Sequence, residues 1–265
     1  MTAPPQSQDD WNRHWHRYAS SASQNPAQAY RRMLIFRELE LNRAAFPIKV
    51  LEIGCGQGDL SSEIKHAHPG VELVGLDLSH TGVEIARQKV PDGTFFQWDL
   101  MQPVPVPESH RNWATHAVCS EVLEHLDEPL VALRNAREWL APGARLVVTV
   151  PAGPRSAFDI HIGHRRHFTP ERLEELLVSA GFEVQTLHGA GFPFFNLYRL
   201  SVIARGKKLI EDASGTGELP LTARAAMRAF SLLFRMNRIE SRRGWQLVAT
   251  AVAPHEQKPR TAHSA

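Results

Sequence analysis

Three glycines at alternate positions follow a short apolar run. The run ends at Ile53 and is followed by Gly54, Gly56 and Gly58, and the acid Glu52 lies two residues before the first glycine. Because glycine carries no side chain, a ligand can approach this main chain closely, and the start of a following helix offers free N–H groups. The pattern therefore predicts a cofactor site at the end of a strand.

The spacing of the glycines separates this turn from two common phosphate-binding loops. A dinucleotide-binding turn has the pattern G-x-G-x-x-G, whereas the pattern here is G-x-G-x-G. A P-loop carries a lysine directly after its last glycine, and Gly58 is followed by Asp59. The ligand therefore need not be a polyphosphate.

Two further acids end the next two predicted strands, Asp77 and Asp99. Parallel strands bring their carboxyl ends to one edge of a sheet, so we expect Asp77 to bind ribose hydroxyls there. We expect Asp99 to accept a hydrogen bond from an adenine amine, with Trp98 or Leu100 beside the ring. Alternatively, both acids only form turns or cap helices, as Asp often does after a strand.

The segment after the fifth predicted strand contains three histidines, His161, His164 and His167. Loops at this edge of an α/β sheet bind substrates, and we predict His164 as the general base, with His161 and His167 as the next candidates. Arg165 or Arg166 would pair with a substrate carboxylate or phosphate. Alternatively, these histidines cap a helix or bond main chain. We expect no metal, because side chains three residues apart diverge on a helix or a strand.

Alternating strands and helices would position these residues. This order from Lys49 onward is typical of a parallel sheet covered on both faces. Strands are predicted at 49–53, 71–76, 94–98, 115–119, 145–150, 182–187 and 245–252. Helices are predicted at 11–18, 27–41, 58–67, 80–89 and 127–140, and from Thr169 to Gly181.

About sixty residues separate the last two predicted strands, more than a simple connection needs. They contain two predicted helices around a loop at 212–218. If this insert is a substrate lid, an apolar pocket is walled by Phe192, Phe194, Phe195 and Tyr198. In the other interpretations its aromatics are ordinary core or a homodimer face, or the insert attaches to a membrane surface.

Composition favours one α/β domain. We predict a disordered tail at 1–10, a helical cap at 11–45, a core at 46–190, the insert at 191–243, the last core strand at 244–253 and a disordered tail at 254–265. A net charge of +2 without a concentrated basic face argues against a nucleic-acid partner. Two isolated cysteines and the lack of a long apolar run predict a cytoplasmic protein with no transmembrane segment.

Four motifs in chain order resemble those of class I S-adenosylmethionine-dependent methyltransferases: E-I-G-C-G-Q-G, G-L-D-L-S, Q-W-D-L and S-E-V-L-E-H-L-D-E-P. The resemblance covers roughly residues 28 to 188. It implies a Rossmann-like, seven-stranded, mostly parallel sheet with helices on both faces, an N-terminal helical cap and a helical insert before the last strand. It also implies cofactor contacts from Glu52, Gly54, Cys55, Gly56, Gly58, Asp77, Leu78, Trp98, Asp99, Leu100, Ser120 and Glu121, and from Tyr18 and Arg31 in the cap.

The resemblance further implies methyl transfer to an oxygen or carbon of a small, aromatic or apolar metabolite, similar to quinone-biosynthesis enzymes, with S-adenosylhomocysteine as product. The N-P-P-Y or D-P-P-Y signature of many nucleic-acid and protein amine methyltransferases does not follow the fourth predicted strand. Three alternatives stay open: methylation of a protein, carrier-bound peptide or RNA, a non-catalytic partner-binding protein with the same fold, and aminopropyl transfer.

Overall fold

A seven-stranded sheet forms the centre of the protein, whose computed structural model describes residues 11–12, 25–214 and 221–254. The strands are β1 (Lys49–Ile53), β2 (Glu72–Asp77), β3 (Thr94–Gln97), β4 (Ala114–Ser120), β5 (Leu140–Pro151), β6 (Glu183–Ala190) and β7 (Gln246–Val252). Their order across the sheet is β3-β2-β1-β4-β5-β7-β6. Only β7 pairs antiparallel with its neighbours, which confirms the predicted mostly parallel sheet.

The helices connect these strands. They are α1 (Pro26–Leu39), α2 (Asp59–Ala67), α3 (His80–Lys89), α4 (Pro129–Arg137), α5 (Ala157–His161), α6 (Pro170–Ser179), α7 (Phe194–Ser214) and α8 (Leu221–Leu233). The N-cap residues Asn25, Ser79, Ser156 and Thr169 start four of them by accepting a main-chain hydrogen bond. Gly206 interrupts α7 with a φ of 48°.

Two apolar cores cover the two faces of the sheet. Successive strand residues point to opposite faces, so Val50 joins one core and Leu51 the other. Leu34 of α1, together with residues of α2 and α3, fills the first core, and Leu133 and Leu173 of α4 and α6 fill the second. Both faces of the central strands are therefore buried, as the apolar runs predict.

Some boundaries differ from those predicted. The helix predicted at 127–140 ends at Arg137, because β5 begins at Leu140, five residues before its predicted start. The loop predicted from Asp212 begins later, since α7 continues to Ser214. Tyr18 and the predicted disordered stretches 1–10 and 255–265 lie outside the described residues. In the part of the chain that the structure describes, no helix has the length and hydropathy to cross a bilayer.

Candidate functional site

The glycine turn is held against the end of β2 by main-chain hydrogen bonds. The N–H groups of Gly54 and Cys55 donate to the Leu76 carbonyl at 2.7 and 2.9 Å. Gly54 has a φ of 74°, a left-handed conformation that favours glycine. A Cβ atom on Gly54 would lie 2.3 Å from Cγ2 of Val122, and both residues line a cavity. The missing side chain therefore lets Val122 pack directly against the turn at the wall of this cavity.

Asp77 both supports the turn and lines the cavity. Its Oδ2 accepts a hydrogen bond from the Gly56 N–H at 2.7 Å, and its Oδ1 accepts one from the Ser79 N–H at 2.8 Å. Burial raises the pKa of Asp77 above its ordinary value, although both hydrogen bonds oppose the change. Each carboxylate oxygen keeps a lone pair for a ligand, so the predicted turn-forming and ligand-binding roles are compatible.

The cavity extends from Asp77 along the end of β3. It is lined by Trp11, Gly54, Leu76, Asp77, Leu78, Trp98, Asp99, Leu100, Met101, Glu121, Val122, His125 and Leu126. Asp99 accepts a hydrogen bond from the Met101 N–H at 2.9 Å. The Trp98 ring packs edge-on against Trp139 at 5.2 Å. Sequence reasoning missed Trp11 and Met101, because neither lies in a recognisable motif.

Glu52 at the end of β1 and Cys55 within the turn are not part of this lining. Glu52 is 6% exposed and accepts a hydrogen bond from the Ser61 hydroxyl of α2. Burial raises the pKa of Glu52 to about 8, and the nearby Asp77 adds to the rise. Burial also raises the pKa of the Cys55 thiol. The predicted cofactor contacts of both residues stay predictions.

Glu121 connects the cavity to the N-terminal helix. Its Oε2 lies 3.0 Å from Nη2 of Arg31, and its Oε1 accepts a hydrogen bond from Nε2 of Gln246 at 2.8 Å. Nε of Arg31 donates to Oε1 of Gln246 at 2.9 Å. Ser120 is 2.8 Å from the Thr149 hydroxyl and is not part of the lining. Arg31 therefore reaches the cavity wall through Glu121, and sequence reasoning missed Gln246.

The structure separates His161 from the other two predicted histidines. His161 ends α5 and is exposed, whereas His164 is 9% exposed. Nδ1 of His164 lies 3.2 Å from Nε2 of His167, whose Nδ1 lies 2.9 Å from the Gly153 carbonyl. A carbonyl only accepts, so Nδ1 of His167 carries a proton and its Nε2 accepts from Nδ1 of His164. This relay leaves the lone pair of neutral His164 on Nε2.

His164 adjoins two residues from the segment after β4, Glu124 and His125. The rings of His125 and His164 are edge-on with centroids 4.7 Å apart, and His125 lines the cavity. The carboxyl group of Glu124 is fully buried, and among the residues that the structure describes neither oxygen has a hydrogen-bond partner. We name these three residues the Glu-His group. One potential ligand atom from each lies within 4.8 Å of the others.

Burial shifts both acid and base in the Glu-His group toward their uncharged forms. It raises the pKa of Glu124 well above its ordinary value, and the negative charge of Glu121 adds to this effect. It lowers the pKa of His164 to about 2, with His125 contributing in the same direction. The side chain of His164 is thus an uncharged imidazole at neutral pH.

Arg165 and Arg166 join the loop after β5 to the segment after β4. Nε of Arg165 donates to the His125 carbonyl at 2.7 Å and lies 3.0 Å from Oδ1 of Asp127. Nη2 of Arg166 donates to the Leu126 and Asp127 carbonyls at 3.0 and 2.9 Å. Both guanidinium groups are thus bonded to the protein, and their predicted role in substrate binding stays a prediction.

A buried ion pair attaches the insert to the same loop. Arg199 of α7 contacts both carboxylate oxygens of Asp159, at 3.0 and 2.6 Å. Asp159 is 1% exposed and also accepts hydrogen bonds from the N–H and hydroxyl of Ser156. The charge of Arg199 and these hydrogen bonds outweigh burial and lower the pKa of Asp159 to about 2. Sequence reasoning missed this pair.

The aromatic residues of the insert pack against one another and against α1. Tyr30 of α1 lies 5.6 Å from Phe195 and 5.5 Å from Phe234, measured between ring centroids. Tyr198 contacts Phe195, Phe230 and Phe234. Phe192 lies under the guanidinium of Arg243, and Phe194 borders the same core. The cavity lining found in the described ranges includes no insert residue, so the substrate-binding role of these aromatic residues stays a prediction.

The cavity matches the chemistry of an adenosine group. Asp77 and Asp99 offer carboxylate oxygens to hydroxyl and amine donors, while Trp98, Leu100 and Met101 offer apolar surface to a ring. Val122 packs against Gly54 where a Cβ would otherwise lie and completes this wall. The side chains present are therefore suited to S-adenosylmethionine.

Comparison with known proteins also indicates a methyltransferase. The sequence family described as "Methyltransferase domain" matches residues 18–187. A ubiquinone biosynthesis O-methyltransferase of Aeromonas salmonicida is 26% identical over 172 residues, which are 58% of this chain and 71% of that protein. A malonyl-[acyl-carrier protein] O-methyltransferase of Halalkalibacterium halodurans is 28% identical over 136 residues, which are 50% of this chain and 49% of that protein.

The crystal structure of the [4+2]-cyclase SpnF shares the fold. Its TM-score is 0.62 at 19% identity, over 96% of this chain and 98% of that one. At this identity the likeness concerns the fold alone. The family match covers more than half of the chain. It includes the glycine turn, Asp77, Asp99 and the Glu-His group. The chain therefore belongs to the class I S-adenosylmethionine-dependent methyltransferases and is an enzyme that uses this cofactor.

Proposed function

We propose that the enzyme methylates an oxygen or carbon atom of a small, aromatic or otherwise apolar metabolite. The observation that carries this proposal is the burial of the polar groups beside the cofactor cavity. His125 lines the cavity, while Glu124 is fully buried and His164 is 9% exposed. An acceptor atom has to pass below the protein surface to reach them, which suits a small molecule better than the surface of a folded macromolecule.

The ends of β2 and β3 hold the cofactor in this proposal. When bound, S-adenosylmethionine supplies an electrophilic methyl group on a sulfonium sulfur. Asp77 binds the ribose hydroxyls with the lone pairs that Gly56 and Ser79 leave unused, and Asp99 accepts from the adenine amine. Trp98, Leu100 and Met101 flank the adenine ring. The glycine turn, Arg31 and Glu121 surround the methionyl part.

The acceptor side combines apolar and polar surfaces. Trp11, Val122 and Leu126 line the cavity near His125, and the Trp11 ring lies 4.8 Å from the His125 ring. Apolar walls favour an apolar acceptor. A hydroxyl, phenol or acidic carbon has to lose a proton when it is methylated, whereas an amine attacks through its own lone pair. His125 and the buried groups beside it are available to assist such a proton loss, which supports transfer to oxygen or carbon.

The names of two relatives agree with this proposal. Both the ubiquinone biosynthesis enzyme and the malonyl-[acyl-carrier protein] enzyme are O-methyltransferases. One name refers to quinone biosynthesis and the other to a carrier-bound acyl group. Transfer to oxygen is common to both, so we favour an oxygen acceptor.

The test supplies the purified enzyme with methyl-labelled S-adenosylmethionine and host-cell extract. We expect label in the organic-soluble fraction, from which mass spectrometry would identify the product. The Gly54→Ala variant is the control, because it should lose the cofactor and leave no label in any fraction. Label in precipitated protein or nucleic acid, at rates above this control, would overturn the small-molecule assignment.

A further inference from the structure

We propose that Glu124, His125 and His164 bind one divalent transition-metal cation beside the cofactor cavity, where it holds the acceptor's hydroxyl oxygen. The inference rests on the proposed function and narrows it to an acceptor that carries a hydroxyl or phenol group. The sequence predicts no metal, because only the pattern H-x-x-H-x-x-H suggests one and its side chains diverge. The structure instead brings His164 to two residues of another segment.

The composition of the Glu-His group suits a metal of the zinc class. Two imidazole nitrogens and one carboxylate oxygen form a ligand set typical of zinc and neighbouring transition metals, whereas magnesium and calcium prefer oxygen ligands. The potential ligand atoms lie within 4.8 Å of one another. Ligands of a tetrahedral zinc are about 3.3 Å apart, since each bond is about 2.0–2.1 Å long. Side-chain movements of about 1 Å or less would bring the three ligand atoms from their present separation to the separation in a tetrahedral zinc site.

The carboxyl group of Glu124 provides a second, independent observation. It is fully buried, and neither oxygen has a hydrogen-bond partner within the described ranges. Other buried carboxyl groups of the chain are satisfied: Glu52 bonds Ser61, and Asp159 bonds Arg199. An unsatisfied buried polar group is unfavourable and requires an explanation. A cation bound to both Glu124 and His164 would satisfy this carboxylate.

The relay through His167 orients His164 as a metal ligand. A histidine that binds metal through one nitrogen usually donates its other N–H to an acceptor, which fixes the tautomer. Here Nδ1 of His164 donates to Nε2 of His167, whose Nδ1 donates to the Gly153 carbonyl. Nε2 of His164 therefore keeps the lone pair, as a metal ligand requires.

A second potential ligand cluster, formed by Asp159, His164 and His167, is a weaker candidate. Arg199 and Ser156 already bond the carboxylate oxygens of Asp159. The Nε2 lone pair of His167 accepts from His164. Binding a cation there would break these contacts, so the geometry favours the Glu-His group.

A cation in this position activates an acceptor hydroxyl as a Lewis acid. His125 both belongs to the group and lines the cavity, so the cation lies next to the space for cofactor and acceptor. The acceptor hydroxyl gives its proton to water, its oxygen forms the new bond to the methyl carbon, and the carbon–sulfur bond breaks with its electron pair going to sulfur. The products are the methyl ether, S-adenosylhomocysteine and a proton.

The test is titration of the chelator-treated full chain with Co²⁺, read by its visible absorption and by metal analysis after gel filtration. We expect one Co²⁺ per chain. Glu124→Gln and His164→Asn should each weaken Co²⁺ affinity by a factor on the order of 100, and His167→Gln, which alters only the relay, by about 10. Zn²⁺ should raise the melting temperature of the parent protein and leave that of Glu124→Gln unchanged.

The matched control is His161→Asn, which removes an exposed histidine from the same loop and should keep full Co²⁺ affinity. Far-ultraviolet circular dichroism and S-adenosylmethionine binding confirm that each variant is folded. Absence of stoichiometric Co²⁺ binding, or equal affinity in the parent and both ligand variants, overturns the metal site. Label transfer that persists at full rate after chelation overturns the Lewis-acid role and leaves the methyltransferase proposal intact.

Discussion

The two sides of the cavity are constructed differently. On the cofactor side, the glycine turn and Asp77 are joined by main-chain hydrogen bonds between the ends of two adjacent strands. On the acceptor side, Glu124 and His164 come from segments forty positions apart, and a buried ion pair attaches a third segment. A short motif can therefore specify the proposed cofactor site, whereas the proposed acceptor site depends on packing between distant segments.

The largest effect should come from breaking the ion pair on the acceptor side. Arg199→Ala leaves the buried carboxylate of Asp159 without its cation, which should lower the free energy of unfolding by about 3 kcal/mol. Urea denaturation measures this change. Cofactor affinity should stay the same if the two sides are independent.

The matched control is Arg37→Ala, which breaks the exposed pair between Arg37 and Glu240. This change should lower the free energy of unfolding by about 1 kcal/mol or less. Equal losses in the two variants would show that the Asp159 pair contributes no more than a surface contact.

The next effect concerns the glycine turn on the cofactor side. Gly54→Ala adds a Cβ atom 2.3 Å from Val122 at a φ of 74°. Strain and displacement of the cavity wall should weaken S-adenosylmethionine binding by a factor on the order of 100. Isothermal titration calorimetry measures the affinity. Gly206→Ala is the control, because its φ is also positive but no atom of the described part of the chain lies within 4 Å of the added Cβ.

Asp77→Ala should have a smaller effect on the same side. It removes a proposed ribose ligand and two main-chain contacts, and should weaken cofactor binding by on the order of 1–3 kcal/mol. Calorimetry with Asp92→Ala, a change at an exposed acid, provides the comparison. Unchanged affinity for Asp77→Ala would refute the ribose assignment.

A further effect on the cofactor side is the pH dependence of stability that Glu52 contributes. Its pKa is about 8 in the folded protein and about 4.5 when unfolded. Between these values the folded state keeps a proton that the unfolded state has lost, so stability falls as pH rises from 4.5 to 8.

Glu52→Gln removes this titration and should flatten the pH dependence of unfolding between pH 5 and 8 by about 1 kcal/mol or more. Urea denaturation at several pH values measures it, with Glu72→Gln as the exposed control. An equal pH dependence in the parent protein and in Glu52→Gln would show that Glu52 is charged when folded.

Sequence patterns predict the strands better than the residues that meet between them. The runs ending at Ile53 and Asp77 predict β1 and β2 closely, because strand-to-turn patterns are local. The segment after β5 contains three histidines that the sequence pattern does not distinguish. In the structure His161 ends a helix, and the turn at Gly163 separates it from His164. Glu124 stands in a motif that the sequence identifies, but nothing local indicates that its carboxyl group is buried.

By itself the sequence determined the family, the parallel sheet and the strand-end residues of the cofactor side, because each depends on neighbours within a few positions. The tertiary structure decided which histidine is buried, that Arg165 and Arg166 bond main chain, and that the aromatics of the insert pack on α1. These outcomes depend on contacts between segments far apart in the chain. Such contacts form only when burial and charge pairing outweigh the entropy lost in closing long loops.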